Sequence, residues 1–297
     1  MSRTVTVGLD GSNESLAAAE WAALEAAMCG IPLRVVHAGE QQPHEYVPFA
    51  GERVPPPGAD RSARLLVEAK ARLAHRHSGV QVTAEQIAGH PVNALIAAAG
   101  KAEVLVLGSR GLGRMAGVML GSVALAVVAR AERPVVLVRP AEDTGQERRP
   151  DVFEESDRAT PYRDVVLGLD LRAPDDHVLE FAFDAAARRV TRLRVIHGWG
   201  GVISSSAFAG DGGPARDGQT VAAGVLRPWR DKFPGVEVAE EAVIGDAGAH
   251  LVDASHDASL IVVGRRNRTG SLGSHIGPVA CTVLQHAVAP VAVVPHD

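Results

Sequence analysis

The feature that most constrains this 297-residue chain is that it repeats itself. Val5-Thr6-Val7-Gly8-Leu9-Asp10 returns 160 residues later as Val165-Val166-Leu167-Gly168-Leu169-Asp170. Arg34-Val35-Val36-His37 returns at the same offset as Arg194-Val195-Ile196-His197. Further along the offset is 156: Val104-Leu105-Val106-Leu107-Gly108 answers to Leu260-Ile261-Val262-Val263-Gly264, Gly89 to Gly245, Gly121 to Gly277 and Pro134 to Pro290. One net four-residue length difference between His37 and Gly89 accounts for every pair. A period of this size means two copies of one domain, each of an ordinary domain length. The boundaries follow as residues 1–141 for the first copy, 142–161 for a charged linker and 162–297 for the second. The linker reading rests on Glu142, Asp143, Gly145, Glu147, Arg148, Arg149 and Pro150, a run of charge and turn formers.

Within each copy, short apolar runs alternate with alanine-rich helical patterns. In the first, strands are expected at 4–9, 32–38, 80–87, 103–108 and 134–139, and helices at 12–29, 60–77, 92–100 and 122–131. Val104 to Leu107 and Val135 to Val138 are apolar at every position, as strands covered on both faces must be. The fold class is therefore α/β: two tandem doubly wound domains, each a five-stranded parallel sheet with helices on both faces. Ligands in such sheets bind beyond the carboxyl ends of the strands, near the point where strand order reverses.

Bulk properties exclude several classes. A net charge of −5 gives no basic footprint for nucleic acid. The longest uncharged apolar stretch, between Arg114 and Arg130, has 15 residues, short of the roughly 20 a spanning helix needs. The start of the chain has no signal-peptide pattern, and Cys29 and Cys281 are too few and too far apart for a disulfide framework, so a cytoplasmic setting is expected. With aromatics at only 4%, the core has to be Ala, Val and Leu.

The chemistry-bearing segment follows strand 103–108. Gly108-Ser109-Arg110-Gly111 is separated by nine residues from Gly121-Ser122, where a helix opens. A helix start offers unpaired N–H groups and partial positive charge to an anion, and glycines let phosphate oxygens approach the backbone. Arg110 and Arg114 could screen charge at the mouth. The plain alternative is that the glycines only turn the chain and that Ser122 is an N-cap. Asp10-Gly11-Ser12 at the end of strand one and His37-Ala38 at the end of strand two lie beside the expected crevice. His37 and His197 read as core or crevice histidines with a satisfied hydrogen bond. A metal site at His75 and His77 has little behind it.

This combination resembles the universal stress protein family, specifically its tandem two-domain members, over nearly the whole chain apart from the linker. The most specific mark is G-x2-G-x9-G-[S/T], here Gly108, Gly111, Gly121 and Ser122. The resemblance implies an adenine nucleotide α-hydrolase-like fold and ATP, alone or with Mg2+, as cofactor. The cofactor-binding positions it implies are Gly8, Leu9, Asp10, Ala38, Gly89, Leu107, Gly108, Arg110, Gly111, Arg114, Gly121, Ser122 and Val123. It also implies that Val135–Val138 and Val291–Val294 pair the two domains, with a homodimer as a further option. The second copy departs at two motif positions, Asn267 for the second glycine and Pro278 for the serine. Asn is the next best residue for a left-handed conformation, whereas Pro278 removes a hydroxyl and an N–H. Arg265, Arg266 and Arg268 could compensate in charge.

The expected function is an ATP-binding stress-response switch with at most slow hydrolysis and no catalytic residue. No G-x4-G-K-[S/T] loop, G-x-S-x-G elbow or Rossmann fingerprint is present. The alternatives are a dimerisation or partner-binding module without nucleotide, and a hydrolase or adenylyl-transfer enzyme.

Overall fold

The computed structural model describes residues 3–39, 59–109, 121–140, 162–199, 214–267 and 276–297. The linker assigned to 142–161 lies outside them. The described residues fall into two compact units, one closing at Pro140 and the other running to Asp297.

In the first unit the order is β1 (Val5–Gly8), α1 (Asn13–Cys29), β2 (Leu33–Gly39), α2 (Ala59–Arg76), β3 (Val82–Ala88), α3 (Pro91–Ala99), β4 (Val104–Gly108), α4 (Ser122–Arg130) and β5 (Val135–Val138). The strands lie in the order β3-β2-β1-β4-β5, all parallel. The order reverses between β1 and β4, which puts the crevice at the ends of those two strands. Helix α1 covers β1, β4 and β5 and α2 covers β2 and β3, while α3 and α4 pack together over the other face. Valines 5, 7, 104, 106, 135 and 136 and Leu105 are buried. Each contributes about 1.5–3 kcal/mol by leaving water.

The second unit repeats the plan with β6 (Asp164–Gly168), α5 (Asp176–Arg189), β7 (Leu193–Trp199), α6 (Pro214–Lys232), β8 (Val238–Ile244), α7 (Ala247–Ala254), β9 (Ala258–Arg266), α8 (Pro278–His286) and β10 (Val291–His296). A single 3-10 turn, Ser255–Asp257, follows α7. Its strands lie in the order β8-β7-β6-β9-β10, again all parallel. Among the described residues, no helix is long and apolar enough to cross a membrane.

The repeats keep ion pairs as well as strands. Arg34 meets Glu85 across β2 and β3, and Arg194 meets Glu241 across β7 and β8 at 2.9 Å. Glu20 holds Arg76 at 3.0 Å, and Glu180 holds Lys232 at 2.7 Å. The packing beneath these pairs has diverged. Under α6, Phe183 stacks on Trp229 and Phe233 with ring centroids 6.0 and 5.5 Å apart. The matching positions in the first repeat are Ala23, Leu73 and His77, and His77 bonds Glu20 at 3.0 Å.

Helix ends show one strained substitution. Helix α1 stops at Gly30 in the left-handed region (φ 64), and α5 stops at Val190 with φ 49, ψ 49. A β-branched residue is sterically crowded there, and Val190 is 91% exposed, so packing does not compensate. Val190→Gly is expected to raise the stability of the second unit by about 1 kcal/mol. A higher melting temperature in calorimetry is the readout.

Candidate functional site at the strand ends of the first repeat

β1 ends at Gly8, and Leu9 continues it by donating its N–H to Val36 O at 2.8 Å. The chain then turns through Asp10-Gly11-Ser12 into α1. Ser12 Oγ donates to Asp10 Oδ1 at 2.6 Å and the Ser12 N–H donates to the same oxygen at 2.9 Å. Ser12 Oγ also accepts from the Ser15 N–H at 3.1 Å, which makes Ser12 the N-cap of α1. Partial burial alone would raise the Asp10 carboxyl, but the Ser12 and Ser15 hydrogen bonds outweigh it and hold Asp10 below the ordinary aspartate value. Asp10 is an anion at neutral pH, and among the described residues it makes no ion pair.

Two glycines at this edge are set by close approach. A Cβ on Gly108 would lie 2.5–2.7 Å from the backbone of Glu14 and Ser15 at the start of α1. A Cβ on Gly8 would lie 2.6 Å from Leu107 Cδ2. Both glycines are therefore required by packing, whatever ligand the site takes. Gly121 differs. It is the N-cap residue of α4 with φ −54 and ψ 131, a conformation open to any residue, and a Cβ there would meet nothing within 4 Å. Neither the fold nor the backbone asks for glycine at that position.

Helix α4 opens at Ser122 as its first helical residue, so the N-cap is Gly121 and not Ser122. Ser122 is exposed and Val123 half-buried. The first-turn N–H groups have no intrahelical acceptor, and Leu125 is the first residue to bond back, to Gly121 O at 3.0 Å. Ala38 closes β2, and Gly89 turns the chain after β3 with φ 118. Leu107 is buried at the end of β4. The structure thus brings Gly8, Leu9, Asp10, Ala38, Gly89, Leu107, Gly108, Gly121, Ser122 and Val123 to one edge of one sheet. Arg110, Gly111 and Arg114 lie outside the described residues.

The second repeat carries different chemistry at the same edge. Its turn after β6 is three residues longer, and Asp175 caps α5 in place of a serine. Asp170 Oδ2 is taken by Arg266 Nη2 at 3.3 Å, an exposed and therefore weak pair. Asn267 does not adopt a left-handed backbone: Val190 is the sole described non-glycine with positive φ. The Asn267 N–H instead continues the strand pairing to His296 O, and its side chain reaches Asp297 at 3.2 Å, so strand geometry overrides the glycine-like role expected of it. Helix α8 starts on Pro278, with one N–H fewer for an anion.

The repeated histidines also separate. His37 Nδ1 lies 2.7 Å from Leu9 O and its Nε2 3.2 Å from Ser62 Oγ, the satisfied crevice histidine that its place suggests. His197 is 1% exposed and neither ring nitrogen has a partner, against that expectation. Burial pushes its imidazole below the ordinary 6.5, and Glu240 opposes the shift only in part. Since the folded value lies below the unfolded one, the unfolded chain protonates first as pH drops. The stability His197 contributes is complete above about pH 6.5 and is lost as the pH falls through the folded value. His197→Gln is expected to flatten the pH dependence of urea unfolding of this unit between about pH 5 and 7.

The family model for the universal stress protein family matches residues 1–139 and 161–295, one match per repeat. The chain belongs to the universal stress protein family. A universal stress protein of Mycobacterium tuberculosis is 32% identical over 297 residues, covering 97% of this chain and 96% of that one. The crystal structure of a universal stress protein from Archaeoglobus fulgidus superposes over 100% of both chains with a TM-score of 0.71 at 18% identity, which establishes the tandem fold. A universal stress protein solved in complex with cAMP is 31% identical over 47% of this chain and 98% of its own, with a TM-score of 0.37.

The residue most easily missed from sequence is Ser62. It stands alone in a helical pattern, and its link to His37 spans 25 positions with no periodicity to announce it.

Proposed function

We propose that the first repeat binds an adenine nucleotide, ATP by its loop motif, and that occupancy of this site serves as a switch in a stress response. Gly121 carries the reading. A glycine that neither backbone conformation nor packing requires stands at a helix start whose N–H groups are unpaired. Close approach of phosphate oxygens to that backbone accounts for it. The phosphates lie over Gly108, Gly111, Gly121 and Ser122 on this reading, with the ribose near Asp10 and the purine against the β2 end at Ala38. Mg2+ accompanies the phosphates if it is present.

Turnover on this site is slow. A useful general base holds its proton near working pH, and Asp10, the one carboxylate at this edge, is held low by two serines. The second repeat binds the nucleotide weakly or not at all, because Pro278 has removed an N–H and Arg266 occupies Asp170.

Mass spectrometry of nucleotide carried by the purified full chain, paired with calorimetric titration of ATP, tests the proposal. One ATP per chain is the expected result. Two per chain would overturn the silent second site. An empty protein with no heat of binding would overturn the nucleotide reading and favour a partner-binding module, and turnover of several per second would favour an enzyme.

A further inference from the structure

We infer that α2 is part of the nucleotide crevice of the first repeat, through Ser62 and His37, which act as positioning residues for Asp10. The inference rests on the proposed nucleotide site and adds a mechanism by which that site is set. Leu9 is held at both ends of its peptide by β2: its N–H donates to Val36 O at 2.8 Å, and its carbonyl accepts from His37 Nδ1 at 2.7 Å. A carbonyl can only accept, so Nδ1 carries a proton and the neutral ring offers Nε2 as an acceptor. Ser62 Oγ, on the first turn of α2, stands 3.2 Å from Nε2 and fills that role. Asp10 is the next residue along from Leu9, so the ring fixes the backbone from which the Asp10 carboxylate projects.

A second contact joins the same helix to the same turn. Leu65, one helical turn beyond Ser62, places both its methyl carbons 3.5 Å from where a Cβ on Gly11 would be. Helix α2 therefore touches the β1–α1 turn directly and through His37.

The second repeat is an internal control. Gly218 occupies the position of Ser62 and has no hydroxyl, and the position of Leu65 holds Val221, which is exposed. His197 is left buried with no partner on either nitrogen. Where the hydroxyl is missing, the histidine no longer holds the carbonyl of the strand-one end. The device belongs to the repeat with the intact loop.

The test compares Ser62→Ala, Ser62→Thr and wild type in the full chain, with ATP as the probe. Calorimetric affinity is measured beside the melting temperature of the nucleotide-free protein. One neutral hydrogen bond lost at a positioning step corresponds to about a three- to tenfold weaker Kd for Ser62→Ala. Ser62→Thr, which restores the hydroxyl, is expected to recover wild-type affinity. Nitrogen-15 spectra of His37 add a readout that simple destabilisation would not move: the hydrogen-bonded Nδ1–H signal is expected in wild type and Ser62→Thr and exchange-broadened in Ser62→Ala. Unchanged ATP affinity in Ser62→Ala overturns the positioning role and leaves the nucleotide site standing. A lower melting temperature with unchanged affinity makes Ser62 a packing residue and overturns it equally. Failure of wild type to bind ATP overturns both.

Discussion

Gly108→Ala is expected to destabilise the first unit by about 3 kcal/mol, at the upper end of the cost of overpacking. The new methyl would sit 2.5–2.7 Å from Glu14 and Ser15 backbone atoms, and backbone cannot rotate away as a side chain can. Relief requires the start of α1 to move, and that start carries Ser12, Ser15 and the turn that holds Asp10. Urea unfolding followed through Trp21, buried in α1, reports the loss in this unit. Nucleotide affinity should fall with it, since the proposed site is built on the same turn. The matching change Gly264→Ala is expected to cost about 1 kcal/mol. There the nearest obstacles are the His296 ring at 2.8–3.0 Å and a Val178 methyl at 3.3 Å, side chains with room to adjust. Equal losses from the two substitutions would show that the α1 backbone contact is not what demands glycine.

Phe183→Ala is expected to cost the second unit about 3–5 kcal/mol. Phe183 is wholly buried and stacks on both Trp229 and Phe233, so its removal opens a cavity under α6 and strips both rings of their partner. The stacked rings also carry Lys232 over their faces, at 4.9 Å from the Trp229 centroid, while that lysine pairs with Glu180. Trp229 emission in denaturant is the direct probe, and a loss below about 1.5 kcal/mol would mean the cavity collapses without penalty.

Much of the fold was legible because it is written twice. Strand and helix limits read from the first repeat fall within two residues of those observed, as at β4 and α4. The apolar runs have no second reading once a parallel sheet is assumed, and the constant offsets protect each assignment with an independent copy. The crevice was legible in outline because glycine and proline mark turns. Function and packing were harder to separate. Gly108 and Gly121 look alike in a motif, yet one is fixed by the approach of α1 and the other stands in open space. Contacts formed by side chains distant in sequence left no trace at all: Arg266 reaching Asp170, or Ser62 reaching His37. Asn267 misled because residue preference pointed to a left-handed turn where the strand simply runs on to Arg266.

The divergent packing of α2 and α6 bears on how such a chain emerges from the ribosome. Adjacent copies of one fold invite exchange of equivalent helices, a characteristic failure of repeat proteins. Here the exchange is penalised both ways. Docked on α5, helix α2 would set Leu73 and His77 against Phe183 and leave it without aromatic partners. Docked on α1, helix α6 would press Trp229 and Phe233 onto Ala23 and strand Glu20 without His77. Sequence drift beneath a conserved pair of surface charges thus works as an address label, directing each helix to its own copy.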